Sequence, residues 1–127
     1  MLAPDLVEAL AAAVRNPAHV ERLLCATSLR EFVRQGWPVL EPGATYTPGR
    51  VIKAICEHLE AVTAGQIRRL LINVPPGTAK SLLASVFWPA WEWGPKGLAH
   101  HRFLGFSYSD RLSIRDNRRT KLMVQSQ

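Results

Sequence analysis

The chain has 127 residues, with 16 Lys and Arg against 10 Asp and Glu, a net charge of +6, and 47% apolar residues. That length suits one domain that buries on the order of two thirds of its unfolded surface, and the composition excludes a disordered chain. No run reaches the ~18 uninterrupted apolar residues of a membrane span, no basic segment leads into an apolar one as in a secreted protein, and Cys25 and Cys56, with no C-x-x-C pair, read as buried free thiols of a reducing compartment.

Residues 4–15 place Leu6, Val7, Leu10, Ala11 and Val14 at helical spacing, with Pro4 in the first turn. Asn16-Pro17 stops this helix and opens another, which Asn16 is predicted to cap and which carries Val20, Leu23 and Leu24 on one face. Ser28-Leu29-Arg30-Glu31 fits a capping box for a short third helix ending at Gly36. Residues 1–36 therefore read as a small helical module. Residues 37–49 hold Pro38, Pro42, Gly43, Pro48 and Gly49 and read as an irregular crossing segment. Thr47-Pro48 resembles a cap and first-turn proline. Val51, Ile55, Leu59 and Val62 then recur at helical spacing until Gly65.

The most informative stretch follows. Residues 69–74 form an apolar run predicted to be a strand. Pro75-Pro76-Gly77-Thr78-Ala79-Lys80-Ser81 makes a turn, and Leu82, Leu83, Val86 and Phe87 begin a second helix-like run. Strand, loop and helix in that order build an anion site. The helix N-terminus offers unpaired N–H groups and the positive end of its dipole. A Lys there reaches the outer phosphates of a nucleotide, and the next hydroxyl can ligate Mg²⁺. The common pattern G-x-x-x-x-G-K-[ST], aligned on Lys80-Ser81, asks for Gly at 74 and 79, where this chain has Val74 and Ala79. The only loop glycine is Gly77. An alanine at 79 fits if the backbone there keeps a conformation open to non-glycine residues. The competing reading is an ordinary strand–turn–helix with a solvated lysine. Pro89 is predicted to kink or end the helix near Trp88.

Trp88, Trp91 and Trp93 could stack bases, but core or interface packing is the better account. Gly94-Pro95-Lys96-Gly97 reads as a loop, residues 102–107 as a second strand, and Asp110 to about Val124 as a basic helix. Arg111, Arg115, Arg118, Arg119 and Lys121 could face DNA phosphates. The cluster alone fits a solvated helix face better. The side chains of His100 and His101 would diverge on a strand, with no Cys or carboxylate to complete a metal site. His19 and His58 are isolated. Ser107-Tyr108-Ser109 has no base placed beside it. Asp110 lies beyond three polar residues from the apolar strand, too far for a strand-borne Mg²⁺ ligand.

The string from Val74 to Ser81 resembles the large terminase subunit of tailed bacteriophages, the motor that packages viral DNA. That family also has a Pro-Pro turn where the first glycine would stand. Residues 64–73 resemble the family's approach to the loop, and residues 86–94 its exit helix. Phe106-Ser107-Tyr108-Ser109 and the run through Arg118-Arg119 resemble its next strand and helix. The likeness covers roughly residues 45–127, a set of joined motifs rather than a single one.

The resemblance implies an α/β fold: residues 37–127 as an incomplete P-loop ATPase domain of terminase type, preceded by the helical module. It implies ATP and Mg²⁺ as cofactors, held by Pro76, Gly77, Thr78, Ala79, Lys80 and Ser81, with Lys80 on the β- and γ-phosphates and the Ser81 hydroxyl on Mg²⁺. Arg111, Arg115, Arg118 and Arg119 become candidate DNA contacts. The implied partners are double-stranded DNA, the small terminase subunit and the portal, in the cytoplasm of an infected or lysogenic bacterium, with an oligomeric full-length parent. Catalytic acids and a carboxylate nuclease are expected beyond residue 127, so the chain is expected to be an N-terminal fragment with no complete catalytic set. The rival readings are a non-enzymatic basic module that binds DNA or a protein, and another P-loop enzyme such as a helicase.

Overall fold

The fold is described from a computed structural model over residues 3–126. The outermost residues of the two expected domains, 1–2 and 127, lie outside the described residues. The elements are α1 (Pro4–Arg15), α2 (Pro17–Thr27), α3 (Leu29–Leu40), α4 (Arg50–Thr63), α5 (Lys80–Leu82), a π-helical turn (Leu83–Phe87), α6 (Trp88–Trp93) and α7 (Asp110–Gln125).

No strand or sheet occurs among the described residues, which overturns the expected α/β ATPase core. Both predicted strands belong to no regular element, and no backbone hydrogen bond joins them. A strand exists only as part of a ladder, and neither segment has a partner. The period-two pattern survives in the first. Leu70, Ile72 and Val74 pack on the core while Leu71 is 91% exposed.

The helices follow their apolar spacing, with instructive departures. Asn16 occupies the cap of α2 without a side-chain hydrogen bond. Ser28 caps α3 by accepting from the Glu31 N–H at 3.3 Å. The Glu31 carboxylate turns outward to Arg34 at 2.9 Å, so only half of the box forms. Gly36 does not end α3, which continues through Pro38 to Leu40. The cause is packing: a Cβ at Gly36 would strike the Met123 side chain and lie 3.0 Å from Phe87. Glycine here lets α3 approach its neighbours, and burial outweighs its weak helix propensity.

α5, the π turn and α6 form one continuous rod through the core, because the linking residues Leu82, Leu83, Phe87 and Trp88 all keep right-handed helical angles. Pro89 neither ends it nor breaks it at Trp88. Proline has no N–H for the Ser85 carbonyl and its ring crowds that carbonyl. The wider turn relieves the crowding, with the Trp88 N–H donating to Leu83 O. The Thr120 hydroxyl of α7 lies 3.2 Å from Ser85 O and 2.9 Å from Asp116 O of its own helix, so its one proton is shared between the two carbonyls. Leu83, Val86, Phe87 and Trp91 of the rod are fully buried against Leu29 and Val33 of α3 and Cys56 of α4. Trp91 Nε1 also donates to Cys25 O at 2.6 Å.

Candidate phosphate-binding site

The rod positions the loop at its N-terminus. Thr78 Oγ1 donates to Pro75 O at 2.8 Å and closes a tight turn. Gly77 takes φ +84, which its missing Cβ permits. Ala79 takes φ +59 and ψ 18, a left-handed conformation, and is the only non-glycine residue with positive φ among the described residues. The condition under which an alanine fits without strain at residue 79 is therefore not satisfied. An alanine Cβ in this region costs roughly 1–2 kcal/mol. Ala79 O accepts from the Leu83 N–H at 2.9 Å, which starts the rod immediately after this turn. Left-handed residues next to right-handed ones shape backbone N–H groups into anion-binding concavities. The N–H groups of the rod's first turn have no carbonyl partner within the helix.

Lys80 is half-buried, and its Nζ donates to Val74 O at 3.0 Å. The cationic head thus folds back to where the loop begins. Pro76, Gly77 and Ser81 are exposed, while Thr78 and Ala79 are half-buried. The candidate residues Pro76 to Ser81 therefore form one contiguous turn, with a cation beside it and a hydroxyl open to solvent.

The proposed DNA contacts divide. Arg111, Arg115 and Arg118 are exposed on α7, whereas half-buried Arg119 pairs with Glu41 at 3.0 Å and ties α7 to the end of α3. Arg115 also pairs with Asp116 at 2.9 Å. The tryptophans pack: Trp91 is buried, and Trp88 and Trp93 meet Phe103 edge-on at 5.1 and 5.4 Å.

Sequence reasoning missed a polar cluster around Glu92, which is only 3% exposed. The Thr63 hydroxyl donates to one carboxylate oxygen. His101 Nδ1 lies 2.9 Å from the other. Trp88 Nε1 donates to Thr63 Oγ1 at 2.9 Å, and Trp93 Nε1 to His101 O at 2.8 Å. The carboxylate thus pins the end of α4 and the 98–101 turn to the rod. The signal was an acid between tryptophans, where burial demands partners for its oxygens. No group of three or more metal-ligating side chains occurs among the described residues. Burial pushes the Cys56 thiol up to about 12, with the Glu60 carboxylate adding to it.

Comparison with family models, with curated proteins and with solved structures finds no match for the chain. No helix among the described residues is long and apolar enough to cross a membrane.

Proposed function

We propose that the chain binds the phosphates of ATP with Mg²⁺ in the loop 74–81, as the nucleotide-binding part of a terminase large subunit. The observation that carries this reading is the left-handed Ala79 directly before Lys80. Backbone strain in a non-glycine residue persists where the surroundings over-determine it, and such sites cluster at ligand clamps. The strain lies at the position where the common phosphate loop has its second glycine. The chain keeps the glycine-like turn with an alanine in it.

The residues fit the group. Backbone N–H groups of the turn and first helical turn would hold the phosphates, Lys80, now on Val74 O, would supply positive charge to the outer phosphates, and the exposed Ser81 hydroxyl would hold Mg²⁺. Double-stranded DNA, the small subunit and the portal are the partners that the terminase resemblance adds. Hydrolysis needs a carboxylate that helps hold Mg²⁺ and a group that orients water. Glu92 is engaged with Thr63 and His101, and Asp116 with Arg115. The chain binds nucleotide without a complete hydrolytic set.

Calorimetric titration with Mg²⁺–ATP tests the proposal. The wild-type chain is expected to bind and Lys80→Ala to lose detectable binding, because a charge-assisted phosphate contact is removed. Equal binding by the two proteins would sink the assigned role.

A further inference from the structure

A cavity of about 640 Å³ lies between the rod, residues 103–107 and α7. Its lining shares no residue with the loop 74–81. Trp88, Trp93 and Phe103 form an aromatic corner in it. Both tryptophans stand edge-on to Phe103, with centroids 5.1 and 5.4 Å apart and ring planes at 85° in each pair. An edge-on contact covers at most one face of one ring, so these contacts leave other faces of the three rings uncovered by one another. The indole N–H groups are engaged, Trp88 Nε1 with Thr63 Oγ1 at 2.9 Å and Trp93 Nε1 with His101 O at 2.8 Å. These bonds fix the ring orientations before any ligand arrives, which lowers the ordering cost of binding.

Charge sets this cavity apart. The chain carries 16 Lys and Arg, yet among the described residues that line the cavity the one with a charged side chain is Asp116. Asp116 is half-buried. Arg115 Nε and Nη2 both donate to Asp116 Oδ1, at 3.0 and 2.9 Å, and Arg115 does not line the cavity. No hydrogen bond or ion pair engages Asp116 Oδ2 among the described residues. A carboxylate with one oxygen available therefore shares a cavity with three rings, whose faces are the negative side of the aromatic quadrupole. The net charge of +6 opposes a cation from afar, but salt screens that field beyond about 8 Å at physiological ionic strength.

We propose that this cavity binds a quaternary ammonium group, with the methylated head against Trp88, Trp93 and Phe103 and its charge balanced by Asp116. A cation over an aromatic face is attracted by the ring quadrupole, more strongly once desolvated, and this is the physical basis of quaternary ammonium recognition by aromatic cages. A primary ammonium brings three N–H donors that ring faces satisfy poorly, whereas a trimethylammonium head brings none. A phosphate would meet a carboxylate of its own sign. A neutral base could stack on the rings, but it gives the free carboxylate oxygen no counter-charge. Phe106 and Leu104 also line the cavity, are 89% and 82% exposed, and offer apolar contact to the chain that carries the head.

Proton NMR titration of the purified chain with choline tests the proposal. The control is the neutral isostere in which a tert-butyl group replaces the trimethylammonium group. Choline should bind roughly 2- to 30-fold more tightly than the isostere, and its methyl signal should move upfield over the ring faces. Asp116→Asn should weaken choline binding by roughly 2- to 5-fold and leave that of the isostere unchanged. Arg115→Ala removes the competing cation from Asp116 and should tighten choline binding. Arg115 is exposed and Asn keeps the shape of Asp116, so both variants should fold. A trimethyl-lysine peptide and phosphatidylcholine vesicles, compared with choline, identify what carries the head. A preference for choline over the isostere that falls in Asp116→Asn and rises in Arg115→Ala supports the proposal. Equal binding of the isostere, tighter binding of propylammonium or adenosine, choline affinity unchanged in Asp116→Asn, or no binding of choline would overturn it.

Discussion

Ala79→Gly tests the geometry on which the phosphate loop depends. At φ +59 the alanine Cβ crowds its own backbone, at a cost of about 1–2 kcal/mol that glycine does not incur. Glycine gives the unfolded chain more freedom, which offsets about 0.5–1 kcal/mol of that gain. The expected net effect is a stabilisation between about 0 and 1.5 kcal/mol. One kcal/mol moves the midpoint by about 4–8 °C in domains of 60–100 residues and by about 2–4 °C in larger ones, so a rise of up to about 6 °C is expected here. Thermal unfolding followed by far-UV circular dichroism measures it. Ala79→Val is the counter-test, because a β-branched side chain is harder still to place at positive φ, and its midpoint should fall. Nucleotide affinity should not weaken in Ala79→Gly, since glycine adopts the same backbone. A midpoint lowered in Ala79→Gly, or raised in Ala79→Val, would show that residue 79 is not left-handed in solution. The structural case for the loop would go with it.

Leu83→Ala should cost about 2–5 kcal/mol in urea denaturation, because Leu83 is fully buried in the π turn of the central rod; a loss below about 0.5 kcal/mol would mean that the rod is not core. Cys56 makes stability pH-dependent in a known direction. Its folded thiol titrates near 12 and an unfolded one near about 8.5, so above about pH 8.5 the unfolded chain holds fewer protons and stability falls with rising pH. The contribution is about 1.4 kcal/mol per pH unit, it is absent below the unfolded value, and Cys56→Ala should remove that part of the slope; identical slopes in the two proteins would refute the assignment. Steady-state phosphate release by the purified, monodisperse chain should be negligible, and robust turnover that vanishes in Lys80→Ala would reveal an acid not identified among these residues.

The helices were legible because their apolar residues repeat at helical spacing. α1, α2 and α7 lie close to where spacing, prolines and glycines put them, whereas α4 starts at Arg50 with Gly49 as its cap rather than at Thr47-Pro48. The failures come from interactions that spacing does not encode. Gly36 looked like a helix end, but it is where α3 closes on Phe87 and Met123. Pro89 looked like a break, but the π turn before it carries the rod on, and Thr120 on a distant helix offers a shared donor to the carbonyl that proline leaves without its usual one. Residues 69–74 and 102–107 have the composition of strands, yet neither forms a regular element. Composition specifies that a segment can pair, not that a partner is present, and here the ladder is missing. The loop was legible in its residues but not in its backbone. Nothing in the letters of Thr78-Ala79-Lys80 announces a left-handed alanine. Glu92 was invisible for a related reason: its partners Thr63 and His101 come from an earlier helix and a later turn.

The absence of a sheet bears differently on binding and on turnover. A phosphate cradle is local. It needs the turn at 77–79, the first turn of the rod and a lysine, all within a few residues of one another. Their placement depends on the rod, which is held by Leu83, Val86, Phe87 and Trp91 in the core, and by Thr120. The start of the loop is held where Val74 packs on that core and Lys80 bonds its carbonyl. These anchors require no ladder, so the turn proposed to hold phosphate forms without a sheet. Hydrolysis is not local. It needs a carboxylate and a water-orienting group brought to the same phosphate from other parts of a fold, with positions fixed to a fraction of an ångström. Glu92 is consumed in pinning α4 and the 98–101 turn to the rod, and Asp116 lies against Arg115. On the proposed reading, nucleotide binding with negligible turnover is the expected behaviour, and phosphate release by the purified chain reads it directly.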